Sequence, residues 1–424
     1  EDLQLDEDVY KMCKRAFMGG FTHANANYMG QIIEDVTSID FSSSYPAVMI
    51  TEKFPMSKAI PTEFTDEKDF DYYRKRYALL FDVRFKGITS KIQHENYISE
   101  SKCYHLVNPI INNGRVFSAD DLATTITDVD FNIIENAYTW ESMQVKNVYR
   151  FYRGYLPKDI IKAIIKLYED KTTLKGVEGK EVEYVISKGM LNSVYGMCVT
   201  DIVRDNIIYE DGGRVEPADA KEQIKKYNES YSRFLYYPWG VWVTAYARRN
   251  LWYGIISMDD DYIYSDTDSI KFKNYEKHKP FIKRYNELVD KKLRLMCDHY
   301  NLDYKRLQPK RKDGKVDRIG FWELDGHYKR FKTLGAKRYL VEYENGDMEL
   351  TVAGLSKSNG LNYMLKQCNY DNTKVFEMFD DNLYVPADET GKMTHTYIDK
   401  EQRFIIQDYK GVECEVITRS GVHL

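Results

Sequence analysis

The stretch Tyr-Ser-Asp-Thr-Asp-Ser at residues 264–269 places two carboxylates, Asp266 and Asp268, two positions apart between short apolar runs. Residues 262–264 and 269–272 predict two β-strands joined by a tight acidic turn. Two carboxylates this close in a hairpin repel each other unless a cation lies between them. The stretch therefore predicts a hairpin that presents a metal-binding pair, with an Asp-rich turn that binds no metal as the alternative.

The sequence around this hairpin predicts a mixed α/β chain. Residues 32–41 predict a strand that ends at an acid, Asp40. Apolar residues recur at helical spacing after Pro157, a second helix is predicted through Val185, and a third is predicted over residues 241–253. Acids at strand ends and turns are therefore the positions where chemistry is expected.

Length and composition narrow the class of protein. A chain of 424 residues is too long for one ordinary core, so two or three packed units are expected. A net charge of -5 gives no overall basic coat, although 61 Lys and Arg residues can still cluster on one face. The six cysteines form no CxxC pair, and no apolar run reaches the roughly 18 residues that cross a bilayer. These features predict a soluble intracellular protein, located in the host cytoplasm if it is viral, with no structural zinc and no membrane partner.

A second acidic element, Asp-Phe-Ser-Ser-Ser-Tyr-Pro, occupies residues 40–46. An Asp at the end of a strand can hold a hard cation in front of a sheet, and the backbone carbonyl of Phe41 can add a ligand. Taken alone, Asp40 has the alternative of capping a helix. The element becomes informative only in combination with the others.

A third element, Lys-Gly-Met-Leu-Asn-Ser-Val-Tyr-Gly, occupies residues 188–196. At about 100° per residue, Asn192 and Tyr195 lie about 40° and about 20° from Lys188 around a helix. One helix face then carries a cation, an amide and an aromatic ring, which suits a triphosphate, a sugar and a base. Taken singly, Lys188 has the alternative of a solvated surface lysine.

Taken in chain order, the elements at residues 40–46, 188–196 and 264–269 resemble motifs A, B and C of the family B DNA polymerases, which read D-x-x-S-L-Y-P, K-x-x-x-N-S-x-Y-G and Y-x-D-T-D-S. The chain also resembles the protein-primed branch found in small tailed phages, adenoviruses and linear plasmids. That branch carries an aromatic-x-Gly-Gly element, a T-x-x-G/A-R element and a K-x-Y element, matched here at residues 17–20, 244–248 and 337–339. The resemblance runs from about residue 10 to about residue 360.

The resemblance implies an α/β (α+β) right-hand polymerase fold with an antiparallel palm sheet, helical fingers, a small thumb and two family-specific insertions. The division that it implies is an N-terminal segment with the first part of the palm at 1–54, a first insertion at 55–156, fingers with the motif B helix at 157–197, a second insertion at 198–237, the second part of the palm at 238–339 and a thumb-like region at 340–424.

The resemblance also implies a DNA-directed DNA polymerase that uses two-metal phosphoryl transfer. A primer 3′-hydroxyl, or a protein hydroxyl, attacks the α-phosphate of a deoxynucleotide on two Mg²⁺ ions, for which Mn²⁺ can substitute. The catalytic carboxylates implied are Asp40, Asp266 and Asp268. The metal ligands implied are Asp40, the carbonyl of Phe41 and Asp268.

Two further sets of residues follow from the resemblance. Those expected to contact the nucleotide, with Tyr45 excluding a 2′-hydroxyl, are Ser43, Ser44, Tyr45, Lys171, Lys175, Lys188, Asn192 and Tyr195. Those expected to contact DNA are Phe17, Gly19, Gly20, Thr244, Arg248, Lys337 and Tyr339. Residues 334–340 read as a turn entering a strand, in which Lys337 and Tyr339 project to one face and Arg338 to the other.

The sequence departs from the family pattern in three places. Phe17 replaces the usual Tyr, and Ser44 stands where Leu is usual. Only 16 residues precede Phe17, so the acidic motifs of the family's proofreading exonuclease are not expected there. We expect that the sequence omits that domain, or that the enzyme lacks it or uses another chain.

The partners implied are a DNA primer-template, deoxynucleoside triphosphates, a terminal protein and a separate exonuclease chain or domain. Two alternatives to a protein-primed enzyme stay open. One is a primer-independent polymerase of the same family, and the other is a non-catalytic nucleic-acid-binding relic. A relic predicts the loss of at least one motif carboxylate, whereas Asp40, Asp266 and Asp268 are all present.

Overall fold

A computed structural model describes residues 3–64, 66–208, 214–230, 235–386, 389, 401–407, 413–419 and 421–423. The chain divides into two compact units. The first unit comprises Glu1–Phe21, Asp40–Ser257 and His278–Glu323, and the second comprises Thr22–Ile39, Met258–Lys277 and Leu324–Leu424.

The helices and strands alternate irregularly along the chain. The helices are α1 Glu7–Ala16, α2 Ser44–Thr51, α3 Glu67–Arg76, α4 Asp128–Ala137, α5 Lys158–Leu174, α6 Glu181–Cys198, α7 Ala220–Glu229, α8 Tyr237–Met258, α9 Tyr275–Tyr300, α10 Lys357–Gln367 and α11 Asn372–Met378. The strands are β1 Thr22–Ala24, β2 Ile33–Phe41, β3 Phe54–Pro55, β4 Ile60–Thr62, β5 Ala78–Ser90, β6 Cys103–Val107, β7 Ile110–Asn112, β8 Arg115–Thr127, β9 Tyr138–Thr139, β10 Ser142–Phe151, β11 Arg153–Gly154, β12 Asn206–Ile208, β13 Arg214–Glu216, β14 Tyr262–Asp266, β15 Ser269–Phe272, β16 Trp322–Gly335, β17 Arg338–Glu342, β18 Met348–Val352, β19 Tyr384–Pro386, β20 Glu401–Gln407, β21 Glu413–Arg419 and β22 Gly421–His423.

The sheet that carries the acidic hairpin has the strand order β1-β14-β15-β2-β16-β17-β18. The pairs β1–β14, β14–β15, β16–β17 and β17–β18 are antiparallel. Within the second unit, a core beneath these strands contains Val36, Ile263, Tyr264 and Phe331, all buried. The predicted strand over residues 32–41 and the predicted hairpin are confirmed.

A further antiparallel sheet lies in the first unit, with the order β4-β10-β5-β8-β6 and with β7 and β9 attached. The sequence over residues 55–149 predicts only short β-like runs there, whereas β5 and β8 each span 13 residues. Charged residues in both strands obscure the strand pattern, because they pair across the sheet. The Nε of Arg84 donates to Asp121 at 2.7 Å, and Lys86 also pairs with Asp121.

The predicted helices are confirmed, with longer bounds in one case. Helix α5 begins after Pro157 and buries the apolar residues that recur at helical spacing. Helix α8 extends well beyond the predicted residues 241–253, because Pro238 is tolerated in a first helical turn.

The segment between α6 and α8 contains the hairpin β12–β13 and helix α7. The sequence also predicts a turn at Gly212-Gly213, and these two residues lie outside the described residues. Across the described ranges, no helix is both long enough and apolar enough to cross a membrane.

Candidate functional site

The acidic hairpin presents its two carboxylates at a two-residue turn. Asp266 ends β14 and pairs with Ser269 at the start of β15. Within the turn the backbone N–H of Asp268 donates to the carbonyl of Asp266 at 2.6 Å, and Thr267 adopts a left-handed conformation with φ of 57°. Non-glycine residues in this conformation are uncommon and recur at functional sites. The turn therefore holds both carboxylates at the tip of the hairpin.

The electrostatics of this pair fit a cation site. Burial raises the pKa of Asp268 and the negative charge of Asp266 raises it further, while Lys271 and Lys337 act in the opposite direction. Asp266 accepts hydrogen bonds from Thr22 Oγ1 at 2.9 Å and from Lys337 Nζ at 2.5 Å. Half-buried carboxylates that repel each other are a donor set suited to a hard divalent cation such as Mg²⁺.

Lys337 and Tyr339 both contact the acidic hairpin, but not in the predicted way. Lys337 lies in the turn between β16 and β17 with φ of 60°, so it is not part of an extended strand. Its backbone N–H donates to the Tyr264 hydroxyl at 3.0 Å, and the Tyr339 ring lies 5.2 Å from the Tyr264 ring. Arg338 points elsewhere and pairs with Asp381 at 2.8 Å. The two residues therefore meet at Tyr264 rather than by sharing one strand face.

The turn after β2 is supported by a segment that sequence reasoning missed. Asp40 is half-buried and precedes Phe41, whose ring stacks on Trp322 with 3.4 Å between centroids. The N–H of Ser42 donates to the carbonyl of Phe321 at 3.0 Å, and the N–H of Gly320 donates back to the carbonyl of Ser42 at 2.6 Å. No motif covers residues 320–322, and an isolated tryptophan, Trp322, is the one feature of that stretch that could indicate a packing role.

Three predicted lysines share the electrostatic environment at the start of α2. Ser43 precedes this helix with φ of 55°, and Lys171 Nζ donates to its hydroxyl at 2.9 Å. Burial lowers the pKa of Lys171; Asp317 opposes this, and the positive charges of Lys175 and Lys188 lower the pKa further. Cations that disfavour one another in this way favour an anionic ligand.

One residue of the predicted face of helix α6, Tyr195, packs against an aromatic residue of α2, Tyr45. The Tyr195 ring lies 4.5 Å from the Tyr45 ring, and burial raises the pKa of Tyr195. Lys188 and Asn192 are exposed on the same helix, whereas Ser44 is buried at the start of α2. The structure therefore brings Tyr45 and Tyr195 together and leaves Lys188 and Asn192 accessible.

The loop at residues 17–20 follows α1 and exposes its glycines. Phe17 is half-buried, and Gly19 and Gly20 are exposed. A Cβ placed on Gly19 would meet no atom of the described residues within 4 Å. The carbonyls of Met18 and Gly19 accept hydrogen bonds from Arg248 Nη1 at 2.5 and 2.9 Å.

Thr244 and Arg248 are placed differently from the prediction that both contact DNA directly. Thr244 is fully buried, and its hydroxyl donates to the carbonyl of Val241 at 3.2 Å. Arg248 is 2% exposed and makes its hydrogen bonds inside the protein. Their burial corrects this part of the predicted site, because a sealed side chain does not reach a nucleic-acid backbone.

With this geometry in place, comparison with known proteins identifies the class. Residues 2–287 match the family described as DNA polymerase type B, organellar and viral, and the chain belongs to this family. It is 24% identical over 397 residues to the DNA polymerase of Bacillus phage B103, covering 92% of this chain and 59% of that protein. It is 23% identical over 344 residues to the DNA polymerase of Bacillus phage phi29, covering 80% of this chain and 50% of that protein. The chain thus spans between 50% and 59% of the length of these relatives.

Solved structures show the same fold. The phi29 DNA polymerase complexed with primer-template DNA and incoming nucleotide substrates matches with a TM-score of 0.64 at 19% identity, over 99% of this chain and 63% of that chain. The post-translocation binary complex of the phi29 enzyme with primer-template DNA matches with a TM-score of 0.62 at 19% identity, over 100% and 64%. The predicted family and the predicted right-hand polymerase fold are confirmed.

Proposed function

We propose that this chain catalyses the template-directed addition of deoxynucleotides to a primer 3′-hydroxyl, or to a protein hydroxyl, during the replication of phage or mobile-element DNA. The observation that carries the proposal is the hairpin that holds Asp266 and Asp268 at a strained two-residue turn, in a member of a polymerase family. The proposal is supported by the similarity to phage proteins that are DNA polymerases. It is also supported by the structural likeness to a polymerase bound to primer-template DNA and nucleotides.

The metal ligands that we propose are Asp40, the carbonyl of Phe41 and Asp268, with Asp266 as the supporting carboxylate. Oxygen donors of this kind suit Mg²⁺, and Mn²⁺ can take its place. When bound, the two ions would neutralise the negative charge that develops on the attacking and leaving oxygens. Asp40 would lose its role if an amide replaced its carboxylate.

The nucleotide would be held by cations and rings of the first unit. Lys171, Lys175 and Lys188 would bind the triphosphate, since their mutual repulsion is relieved by an anion. The ring of Tyr45, packed against Tyr195, would lie against the sugar and exclude a 2′-hydroxyl.

The remaining nucleotide contacts that we propose are less specific. Asn192, together with Tyr195, would line the base-pair pocket. Ser43 and Ser44 would shape the turn beside the nucleotide, because Ser43 is left-handed and bonded to Lys171.

The DNA would be contacted by the exposed glycine loop and by the turn that carries Lys337. The backbone of this loop, at Phe17, Gly19 and Gly20, would approach the DNA strand closely, because glycine has no side chain to block the approach. Lys337 and Tyr339 would contact a phosphate and a sugar near the primer end.

Lys337→Ala should weaken primer-template binding without a strong sequence preference. A lysine that contacts a phosphate contributes an ionic, sequence-independent term, so the slope of log Kd against log salt should fall by about one. Binding would be measured by fluorescence anisotropy at several salt concentrations. Arg338→Ala is the matched control, because Arg338 pairs with Asp381 instead of the hairpin. A larger effect from Arg338→Ala would remove Lys337 from this role.

Primer extension with purified protein, run with and without a DNA primer, tests the proposed function and its priming mode. We expect Mg²⁺-dependent extension of a DNA primer on a single-stranded template. A protein-primed enzyme should make no product from template and nucleotides alone, whereas a primer-independent enzyme should. Failure to extend any DNA primer would contradict the proposal. Two partners stay predictions, namely the terminal protein and the separate exonuclease. The division of the chain into palm, insertions, fingers and thumb, with boundaries after residues 54, 156, 197, 237 and 339, also stays a prediction.

A further inference from the structure

Four hydrogen-bond donors of one buried arginine join distant segments of the first unit. Arg248 Nε donates to the Tyr97 hydroxyl at 2.8 Å, and Nη2 donates to Asp130 at 2.8 Å. Nη1 donates to the carbonyls of Met18 and Gly19 at 2.5 and 2.9 Å. Asp130 is fully buried and Arg248 nearly so. Helix α8, helix α4, the segment that carries Tyr97 and the loop at residues 17–20 therefore meet at the guanidinium group of Arg248.

This network is rigid because its members are themselves held. Asp130 also accepts hydrogen bonds from the N–H of Thr127, at 3.2 Å, and from its hydroxyl, at 2.8 Å, which closes the capping box of α4. Burial by itself would lower the pKa of Arg248, but Tyr97 and Asp130 raise it above its ordinary value. A buried guanidinium group that makes four hydrogen bonds cannot be rearranged without leaving a polar group unpaired.

A second contact fixes the end of the same loop. The guanidinium group of Arg115 lies 4.5 Å from the Phe21 ring and donates to the carbonyl of Tyr97 at 3.0 Å. The Phe21 ring also packs against Tyr97 and Trp252, at 6.4 and 5.4 Å between centroids. The loop is thus held from the inside at Met18 and Gly19 and, just after it, at Phe21, while Gly19 and Gly20 are exposed.

We propose that Arg248 is a positioning residue for the loop at residues 17–20, which rests on the proposed function. It turns the carbonyls of Met18 and Gly19 inward, so that the outer face of the Gly19-Gly20 backbone is set against the nucleic acid. Arg248 itself contacts no phosphate. Tyr97 and Asp130, which belong to the predicted first insertion, take part because they orient the guanidinium group.

The test compares Arg248→Lys and Tyr97→Phe with Arg249→Lys. Lysine keeps the charge beside Asp130 but lacks the planar fork that reaches Tyr97, Asp130 and the two carbonyls at once. Arg249 is a matched control, since it lies on the same helix and is ion-paired with Glu52 at 2.6 Å, away from the loop. Melting temperatures would establish that each variant is folded.

Two measurements carry the test. We expect amide hydrogen exchange in the loop at residues 17–20 to accelerate by about tenfold in Arg248→Lys, less in Tyr97→Phe and not in Arg249→Lys. We expect the primer-template Kd of Arg248→Lys to rise by about tenfold while the slope of log Kd against log salt stays unchanged. The exchange measurement is independent of catalysis, so it separates this proposal from the proposed function.

Three results would overturn the proposal. Unchanged exchange in the loop of folded Arg248→Lys would show that the guanidinium fork does not hold it. A salt slope that falls by about one would make Arg248 a direct phosphate ligand. Equal loosening of the loop in Arg249→Lys would assign the effect to the helix as a whole.

Discussion

Asp40→Asn and Asp268→Asn are each expected to abolish nucleotide incorporation while the protein stays folded. Each carboxylate is a proposed ligand of both cations, and an amide cannot supply the negative charge that binds them. Losing several kcal/mol of transition-state stabilisation would lower the single-turnover rate by about a thousandfold or more. The rate would be measured with Mg²⁺ as the sole divalent metal.

Asp260→Asn serves as the matched control for this pair. Asp260 is exposed and lies in a run of three acids just before β14, so it shares the local charge but has no proposed ligand role. Its incorporation rate should stay close to that of the unmodified protein. Extension within about tenfold of the unmodified rate by Asp40→Asn or Asp268→Asn would end the assignment of that residue as a metal ligand.

Tyr45→Val is expected to raise the use of ribonucleotides relative to deoxynucleotides by about tenfold to a hundredfold. The ring of Tyr45 is fixed against Tyr195, with 4.5 Å between centroids, so it cannot move aside easily to admit a 2′-hydroxyl. Valine removes the part of the ring that would clash. The measurement is the ratio of kcat/KM values for single insertion of each nucleotide.

Tyr152→Val provides the control for this substitution, because Tyr152 is an exposed tyrosine of the same unit. Its discrimination ratio should match that of the unmodified protein. If Tyr45→Val leaves the ratio unchanged, Tyr45 does not face the sugar, and the assignment of the residues at 43–45 to the nucleotide pocket loses its main support.

The sequence predicts correctly the helices and strands that are determined by the pattern of apolar and polar residues within them. The apolar repeat after Pro157 fixes α5, and the apolar runs that flank Asp266 and Asp268 fix the hairpin β14–β15. The left-handed backbone of Lys337 could not be predicted, since it depends on the turn between two strands and not on its own residue type. The extended backbone predicted at Lys337 is therefore wrong, although Lys337 and Tyr339 both contact the acidic hairpin and Arg338 pairs elsewhere.

Contacts between segments that are distant in the chain could not be predicted from local sequence patterns. The T-x-x-G/A-R element predicts that Arg248 contacts DNA, yet Arg248 is buried and bonded to Tyr97 and Asp130, which lie more than 100 positions earlier in the chain. Trp322 likewise lies in no motif, although its ring stacks on Phe41. A motif identifies the residues that matter, whereas the fold decides which of them reach the ligand.

Left-handed non-glycine residues recur at three of the motif turns. Ser43, Thr267 and Lys337 have φ values of 55°, 57° and 60°. Each such residue costs on the order of 1 kcal/mol or more and persists only where the surroundings hold it in place. In the described structure Lys171 contacts Ser43, and Lys337 contacts Tyr264 and Asp266, so these turns are held by the same residues that are proposed to bind the ligands.

The activity proposed for this chain is the synthesis of DNA under the direction of a template. The most direct measurement is single-nucleotide insertion on four primer-templates that differ only in the templating base, with each deoxynucleotide supplied separately in Mg²⁺. We expect each template to direct the insertion of its complementary nucleotide, and we expect Asp40→Asn to insert none. Insertion of the same nucleotide on all four templates, or no insertion on any of them, would contradict the proposed activity.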